Sequence, residues 1–238
     1  VRVTQRLAPA SLLHTPAGET VIDLGQEITG YLEFVTSAPR GATLTLTYGE
    51  LLQEGNFYRD NLRSAQQTFR YTADGERAVV RPRFTFFGFR YVKLEGFDRP
   101  NLADFTGCAI HTDLPVTAAF ECGNEKVNRF FQNVLWGQRD NFVDVPTDCP
   151  QRDERLGWTG DAQVFSGTAM FQMDCAAFFD KYLYDMRMEQ RKLDGSIPFV
   201  VPMIAPGDGS CAWADAATII PFNLYRFYGD RALLERHY

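Results

Sequence analysis

Hydrophobic and polar residues alternate with a period of two from Val1 to about Ile110. Thr43-Leu-Thr-Leu-Thr-Tyr48 alternates almost without fault, and Phe84-Thr-Phe-Phe-Gly-Phe-Arg-Tyr-Val-Lys-Leu94 does so with an interruption at Gly88. Glu19-Thr-Val-Ile-Asp-Leu24, Gly30-Tyr-Leu-Glu-Phe-Val35 and Gln67-Thr-Phe-Arg-Tyr-Thr72 predict three further strands, with turn residues at Ala38–Gly41, Ala73–Gly75 and Asp98–Pro100. Short strands at this spacing predict an antiparallel β-sandwich. Gly88 inside a strand pattern suggests a bulge or a close backbone approach. The segment Glu50 to Arg63 has weak periodicity and reads as a long connection, with Phe57 and Tyr58 packed against the sandwich. Arg81, Arg83 and Arg90 alternate with Phe84, Phe86 and Tyr91, the pattern of a solvated strand face.

Near Asn124 the period lengthens. Val127, Phe130, Phe131, Val134, Leu135, Gln138 and Phe142 follow helical spacing. Val164, Thr168 and Phe171 predict a second helix from about Asp161, and Cys175, Phe178, Phe179, Tyr182, Leu183 and Met186 a third. Trp213, Ala216, Ala217, Ile220, Leu224 and Phe227 predict a fourth, ending at Gly229, with Pro221 marking a kink or a late start. A Pro/Gly-rich loop, Gly195 to Ser210, joins the third and fourth. The chain is therefore expected to be multidomain, β then α, with a β-sandwich over residues 1–115 and helical hairpins over 116–238. A closed helical barrel needs more hairpins than this, so the chain reads as truncated at Tyr238. Open apolar helix faces would favour a homo-oligomer.

Composition narrows the function. The 238 residues are 45% hydrophobic and 14% aromatic, ample for a sizeable core. A net charge of −6 and a pI of about 5.1 argue against nucleic-acid or anionic-membrane partners. Five scattered cysteines form no CxxC pair, so neither a disulfide framework nor a zinc knuckle is indicated, and a cytoplasmic location fits best. No signal peptide is visible, although the true N-terminus could be missing, since the chain opens Val-Arg-Val.

The candidate chemistry lies between the first two helices. Val145-Pro-Thr-Asp-Cys-Pro-Gln-Arg-Asp-Glu-Arg-Leu-Gly-Trp-Thr-Gly-Asp161 gathers four acids, two arginines and a tryptophan in a stretch that fits neither period. A carboxyl beside other acids and an aromatic can keep a proton near neutrality and act as a general acid. Other carboxylates accept hydrogen bonds from sugar hydroxyls, and Trp158 offers a flat face to the C–H side of a pyranose. The same residues also fit a solvated loop closed by its own ion pairs, which contribute little. Asp148, Asp153 and Asp161 are hard oxygen ligands, but their spacing is not that of an EF-hand loop and no histidine is near. Cys149, without a neighbouring histidine, reads as a packed thiol.

The contiguous motif Asp148-Cys-Pro-Gln-Arg-Asp-Glu-Arg-Leu-Gly-Trp-Thr-Gly-Asp161 resembles the signature of bacterial α-L-rhamnosidases, glycoside hydrolases with an (α/α)6-barrel catalytic domain. Tyr48-Gly-Glu-Leu-Leu52, Arg59-Asp-Asn-Leu-Arg63 and Pro82–Tyr91 resemble the β-sandwich that precedes that barrel, and Cys211–Ala216 with Tyr228-Gly-Asp230 a later barrel helix. The resemblance implies inverting hydrolysis of terminal α-L-rhamnosides, without a cofactor or metal. It implies Glu154 as the general acid, with Asp148, Arg152, Trp158 and Asp161 lining the rhamnose pocket. Trp213 and Asp215 are weaker candidates for that pocket, and helix packing suits Trp213 as well. In the family the general base sits on a later hairpin, and no residue here matches it. The rival reading is a carbohydrate-binding module without catalysis.

Overall fold

The computed structural model describes residues 1–205, 207 and 209–237. Pro206 and Asp208, in the Pro/Gly loop, and Tyr238, the expected end of the helical part, lie outside the described residues. The chain divides into two compact units. The first holds Val1–His111 and Cys149–Asp153, and the second Thr112–Asp148 and Glu154–Tyr238. Residues 112–115, read from the sequence as the end of the sandwich, thus group with the helices, and part of the acidic motif groups with the strands.

The strands of the first unit are β1 Arg2–Leu7, β2 Ser11–His14, β3 Thr20–Thr36, β4 Thr43–Gly49, β5 Leu51–Gln53, β6 Asn56–Tyr58, β7 Thr68–Thr72, β8 Ala78–Val80, β9 Phe87–Glu95 and β10 Phe105–His111. Eight of them pair antiparallel in one sheet, in the order β1-β10-β3-β9-β4-β7 with β2 and β8 also on β3, and β5 and β6 pair with each other in a second, two-stranded sheet. The expected sandwich is thus one curled sheet organised on β3. Two predicted strands, Glu19–Leu24 and Gly30–Val35, are the two ends of that element. Its ladder with β9 slips between Asp23 and Ile28, and β2 flanks the part before the slip while β10 and β8 flank the part after it.

Alternation decides what is buried. Leu44, Leu46 and Tyr48 of β4 point inward, where Tyr48 stacks on Phe87 at 4.0 Å and meets Phe89 edge-on at 4.6 Å. The segment Glu50–Arg63, expected as a connection, contains the β5–β6 hairpin and a 3-10 turn at Asp60–Leu62. Phe57 packs there, its ring against Gly49. Strand β9 begins at Phe87 rather than Phe84, because Phe84 takes a left-handed backbone (φ 59°) and is fully exposed.

Gly88 supports a close approach rather than a bulge. Its register with Thr29 is continuous, and a Cβ there would lie 2.7 Å from the Pro150 carbonyl carbon. The returning segment Cys149–Asp153 therefore rests on the one position of β9 without a side chain. Ser64 Oγ donates to Asp153 Oδ2, and this hydrogen bond holds the Asp153 carboxyl below its usual range.

In the second unit, helix α1 spans Glu125–Asn141, followed by the short pair β11 Phe142–Val143 and β12 Val145–Pro146. Helices α2 Thr159–Gln172, α3 Ala176–Lys192, α4 Ala216–Tyr228 and α5 Arg231–His237 follow. Their core gathers Leu135, Phe142, Ala169, Phe178, Phe179 and Tyr182, with Phe142 stacked on Phe178 at 4.4 Å. Helix α4 runs through the buried Pro221 from Ala216 and ends at Gly229, which takes the left-handed cap (φ 67°) that glycine adopts without penalty. The predicted apolar face of α2 is not its buried face. Val164 and Phe171 are exposed, while Ala162, Ser166 and Ala169 pack inward, because small side chains permit close helix approach. Phe171 lines an open apolar groove with Val127 and Phe130 of α1. No helix among the described residues is long and apolar enough to cross a membrane.

Arg90, expected on a solvated face, instead makes two hydrogen bonds to Asp23, Nε to Oδ1 at 2.8 Å and Nη2 to Oδ2 at 2.9 Å. Asp23 Oδ1 also accepts the Gly25 N–H at 2.7 Å, at the slip in β3. Burial disfavours the Asp23 charge, but the hydrogen bonds from Arg90 and Gly25 and the guanidinium charge outweigh it and hold the carboxyl below its usual range. A lowered folded-state pKa contributes stability above the unfolded value, about 3.9 for an aspartate, and loses it as pH falls through the folded value. Asp23→Ala is expected to lower unfolding free energy by about 1 kcal/mol at pH 7. Urea titrations should show that deficit narrowing on acidification below about pH 4.

Candidate active site

Within the second unit the acidic loop closes on itself through Asp148. Its N–H donates to the Leu156 carbonyl at 3.1 Å, and the Leu156 N–H donates back to Asp148 Oδ1 at 2.9 Å. Beyond this clasp the chain turns into α2, and Glu154 and Trp158 meet: the indole Nε1–H donates to Glu154 Oε1 at 3.1 Å. Both side chains are partly buried. A carboxylate oxygen of Asp148 lies within 4.8 Å of one of Glu154. Asp161 is exposed in the first turn of α2, where the helix dipole favours a negative charge.

Trp158 occupies the N-cap position of α2 but has no side chain able to cap it. Other groups supply the fit. The Thr159 N–H donates to the Phe199 carbonyl at 2.9 Å, and Thr159 Oγ1 to the Phe199 and Pro198 carbonyls at 3.0 and 3.1 Å. In return the Val201 N–H donates to the Gly157 carbonyl at 2.8 Å, and Trp158 and Val200 form an antiparallel bridge. A Cβ on Gly157 would lie 2.1 Å from the Val201 carbonyl oxygen, so this contact requires glycine. Buried Tyr182 also donates its hydroxyl to the Gly157 carbonyl at 2.9 Å; burial, then the charges of Asp161 and Asp185, pushes its pKa up.

Trp213 lies just before α4 rather than in it, with its indole over Gly160. Asp215 sits at the N-cap of α4, and its Oδ2 accepts the Ala212 N–H at 3.1 Å, which closes the turn that presents Trp213. Phe199 connects the two tryptophans edge to face, with ring centroids 6.3 Å from Trp158 and 5.7 Å from Trp213. The structure thus brings together Asp148 with Glu154, Glu154 with Trp158, and Trp213 with the start of α2. Arg152 falls in the Cys149–Asp153 segment that groups with the strands, where Cys149 is buried.

The family models agree with this two-part architecture. The bacterial alpha-L-rhamnosidase 6 hairpin glycosidase domain matches residues 115–238, and the bacterial alpha-L-rhamnosidase concanavalin-like domain matches residues 13–111. The chain belongs to the bacterial α-L-rhamnosidase family. It is 42% identical over 238 residues to an alpha-L-rhamnosidase of Streptomyces avermitilis, covering 98% of this chain and 23% of that protein. It is 40% identical to one from Alteromonas sp., covering 100% of this chain and 26% of the relative. Among solved structures, the native Aspergillus terreus α-L-rhamnosidase superposes with a TM-score of 0.95 at 37% identity, over 99% of this chain and 28% of that one. The Streptomyces avermitilis enzyme complexed with L-rhamnose does so with a TM-score of 0.94 at 41% identity, over 99% of this chain and 23% of that one. The chain therefore spans about a quarter of the length of these α-L-rhamnosidases.

The rhamnosidase motif also borders a cavity of about 480 Å³ that its own residues do not complete. Asp148 and Asp161 line it together with Gln138, Asn141, Phe142 and Phe165. Gln138 Oε1 and Asn141 Oδ1 are buried acceptors without a partner among the described residues. Sequence spacing marked Gln138 only as one position of a helix face, Asn141 not at all, and Phe199 only as part of a loop. Gln138 acquires its place through Ala169 and Cys175, and Phe199 through Trp158 and Trp213, contacts distant in the chain.

The two glycines permit a graded test. Gly157→Ala sets a Cβ against backbone and is expected to lower unfolding free energy by about 1–3 kcal/mol. Gly160→Ala, whose Cβ would lie 2.9 Å from Trp213 Nε1, should cost less and register chiefly as a near-UV circular dichroism change from the displaced indole.

Proposed function

We propose that the protein containing this chain hydrolyses terminal α-L-rhamnosides with inversion, and that Glu154 is the general acid that protonates the departing glycosidic oxygen. The observation carrying this reading is the pairing of Glu154 with the Trp158 indole N–H inside a contiguous family motif. A partly buried carboxyl oriented by a hydrogen-bond donor is suited to proton transfer to a ligand atom. The relative from Streptomyces avermitilis, solved with L-rhamnose bound, supports a rhamnose-containing substrate.

Asp148, Arg152, Trp158 and Asp161 are proposed to line the rhamnose pocket, with Trp213 and Asp215 at its edge. Asp148 is not a suitable base partner for Glu154. An inverting pair needs carboxyl groups about 6.5–9.5 Å apart to admit the attacking water, and these two approach within 4.8 Å. Asp148 instead holds the loop through Leu156. In the family the base resides on a later hairpin, and no residue of this chain is assigned to it.

An aryl α-L-rhamnoside assay on the longest form of the protein that includes this chain tests the assignment. Glu154→Gln should lower kcat by about 10²–10⁴-fold with a phenyl leaving group, and by less with a nitrophenyl one that needs little protonation. The 238-residue chain by itself is expected to release no rhamnose. Release by this chain that Glu154→Gln abolishes would show that a base lies within it. Rhamnose binding without release by every form would instead favour the carbohydrate-binding module.

A further inference from the structure

We infer that Phe199 is a positioning residue for the acid: its ring fixes the Trp158 indole so that Nε1–H stays on Glu154, and it sets the separation of Trp158 from Trp213. The inference rests on Glu154 being the acid. It concerns a residue outside the motif, in the Pro/Gly loop before α4.

Three contacts converge on this residue. Its carbonyl accepts both the N–H and the hydroxyl of Thr159, next in sequence to Trp158. Its ring stands at 61° to Trp158 and 75° to Trp213, edge-to-face geometries in which the positive ring edge meets a negative π-face. Its neighbours Val200 and Val201 pair with Trp158 and Gly157, so the backbone under the ring is held as well. The loop is closed on its other side by the Gly209 N–H, which donates to the Ile197 carbonyl at 2.8 Å.

Rotation of the Trp158 indole about its side-chain torsions would carry Nε1 away from Glu154. Among the contacts described above, the Phe199 ring is the aromatic group that opposes this movement. Trp213, the other indole against Phe199, packs over Gly160. The series Glu154–Trp158–Phe199–Trp213–Gly160 thus returns to the start of α2, two residues beyond Trp158. Such a closed circuit holds a proton donor's orientation more narrowly than one hydrogen bond does.

The test uses the 238-residue chain labelled with 15N-tryptophan, whose three indole N–H signals belong to Trp136, Trp158 and Trp213. Assignment comes from single Trp→Phe variants, and Trp136, on α1 beside Arg139, is the internal control. Phe199→Leu, similar in volume but without a ring, is expected to speed solvent exchange of the Trp158 indole proton at least tenfold and to shift both the Trp158 and Trp213 signals. The Trp136 signal should not move, and Phe199→Tyr should restore the wild-type spectrum. Unchanged Trp158 exchange in Phe199→Leu overturns the inference. So does equal acceleration at all three indoles, which would make Phe199 a general packing residue. No sugar is needed for this readout, so failure of the rhamnosidase assay and failure of this assignment are separate results.

Discussion

The short main-chain pairing between Gly157–Thr159 and Phe199–Val201 is the constraint on which the site depends. It joins the acidic motif to a loop some forty residues later through backbone groups, reinforced by the Thr159 hydroxyl, and it requires glycine at Gly157. There the Val201 carbonyl occupies the space of a side chain. Once that pairing exists, Trp158 stands against Phe199, its indole reaches Glu154, and Thr159 opens α2 with its orphan donor satisfied. Without it, the N-terminus of α2 would lack a cap, because tryptophan cannot provide one.

The carboxylates of the motif do unlike work because their surroundings differ. Asp148 spends one oxygen on the Leu156 N–H and so holds the loop. Glu154 takes an indole N–H, a neutral donor that orients the group. Asp153 turns to Ser64, and Asp161 stands exposed over the first turn of α2. Four acids within fourteen positions thus become a clasp, a candidate proton donor, a tether on the strand unit and a carboxylate at a helix end. Clustering of charge in the sequence indicated chemistry there, and hydrogen-bond partners distribute the roles.

Large apolar side chains of α1 and α2 remain exposed, and on α2 small residues are buried instead, a further consequence of how these helices pack. Val127, Phe130, Val164 and Phe171 are exposed although helical periodicity places them on apolar faces. Close approach of α2 to α4 instead selects Ala162, Ser166 and Ala169, with Asn223 Nδ2 donating to Ser166 Oγ at 2.8 Å. Hydrophobic spacing reveals that a face is apolar, not which neighbour is present to cover it.

What the amino-acid sequence by itself determined is the order and kind of the elements and the location of the chemistry. The change from period two to helical period separates strands from helices, because each backbone geometry presents side chains at its own interval. The motif marked its loop because its residue types fit no element. Strands without strong alternation, such as Arg2–Leu7 and Ala78–Val80, were not visible, since what makes them strands is the partner edge on β10 or β3. Only tertiary structure decided that Pro150 rests on Gly88, that Arg90 clasps Asp23 at the slip in β3, and that Phe199 stands between two tryptophans. These are contacts between positions far apart in the chain, and local propensity carries no information about which distant group will arrive.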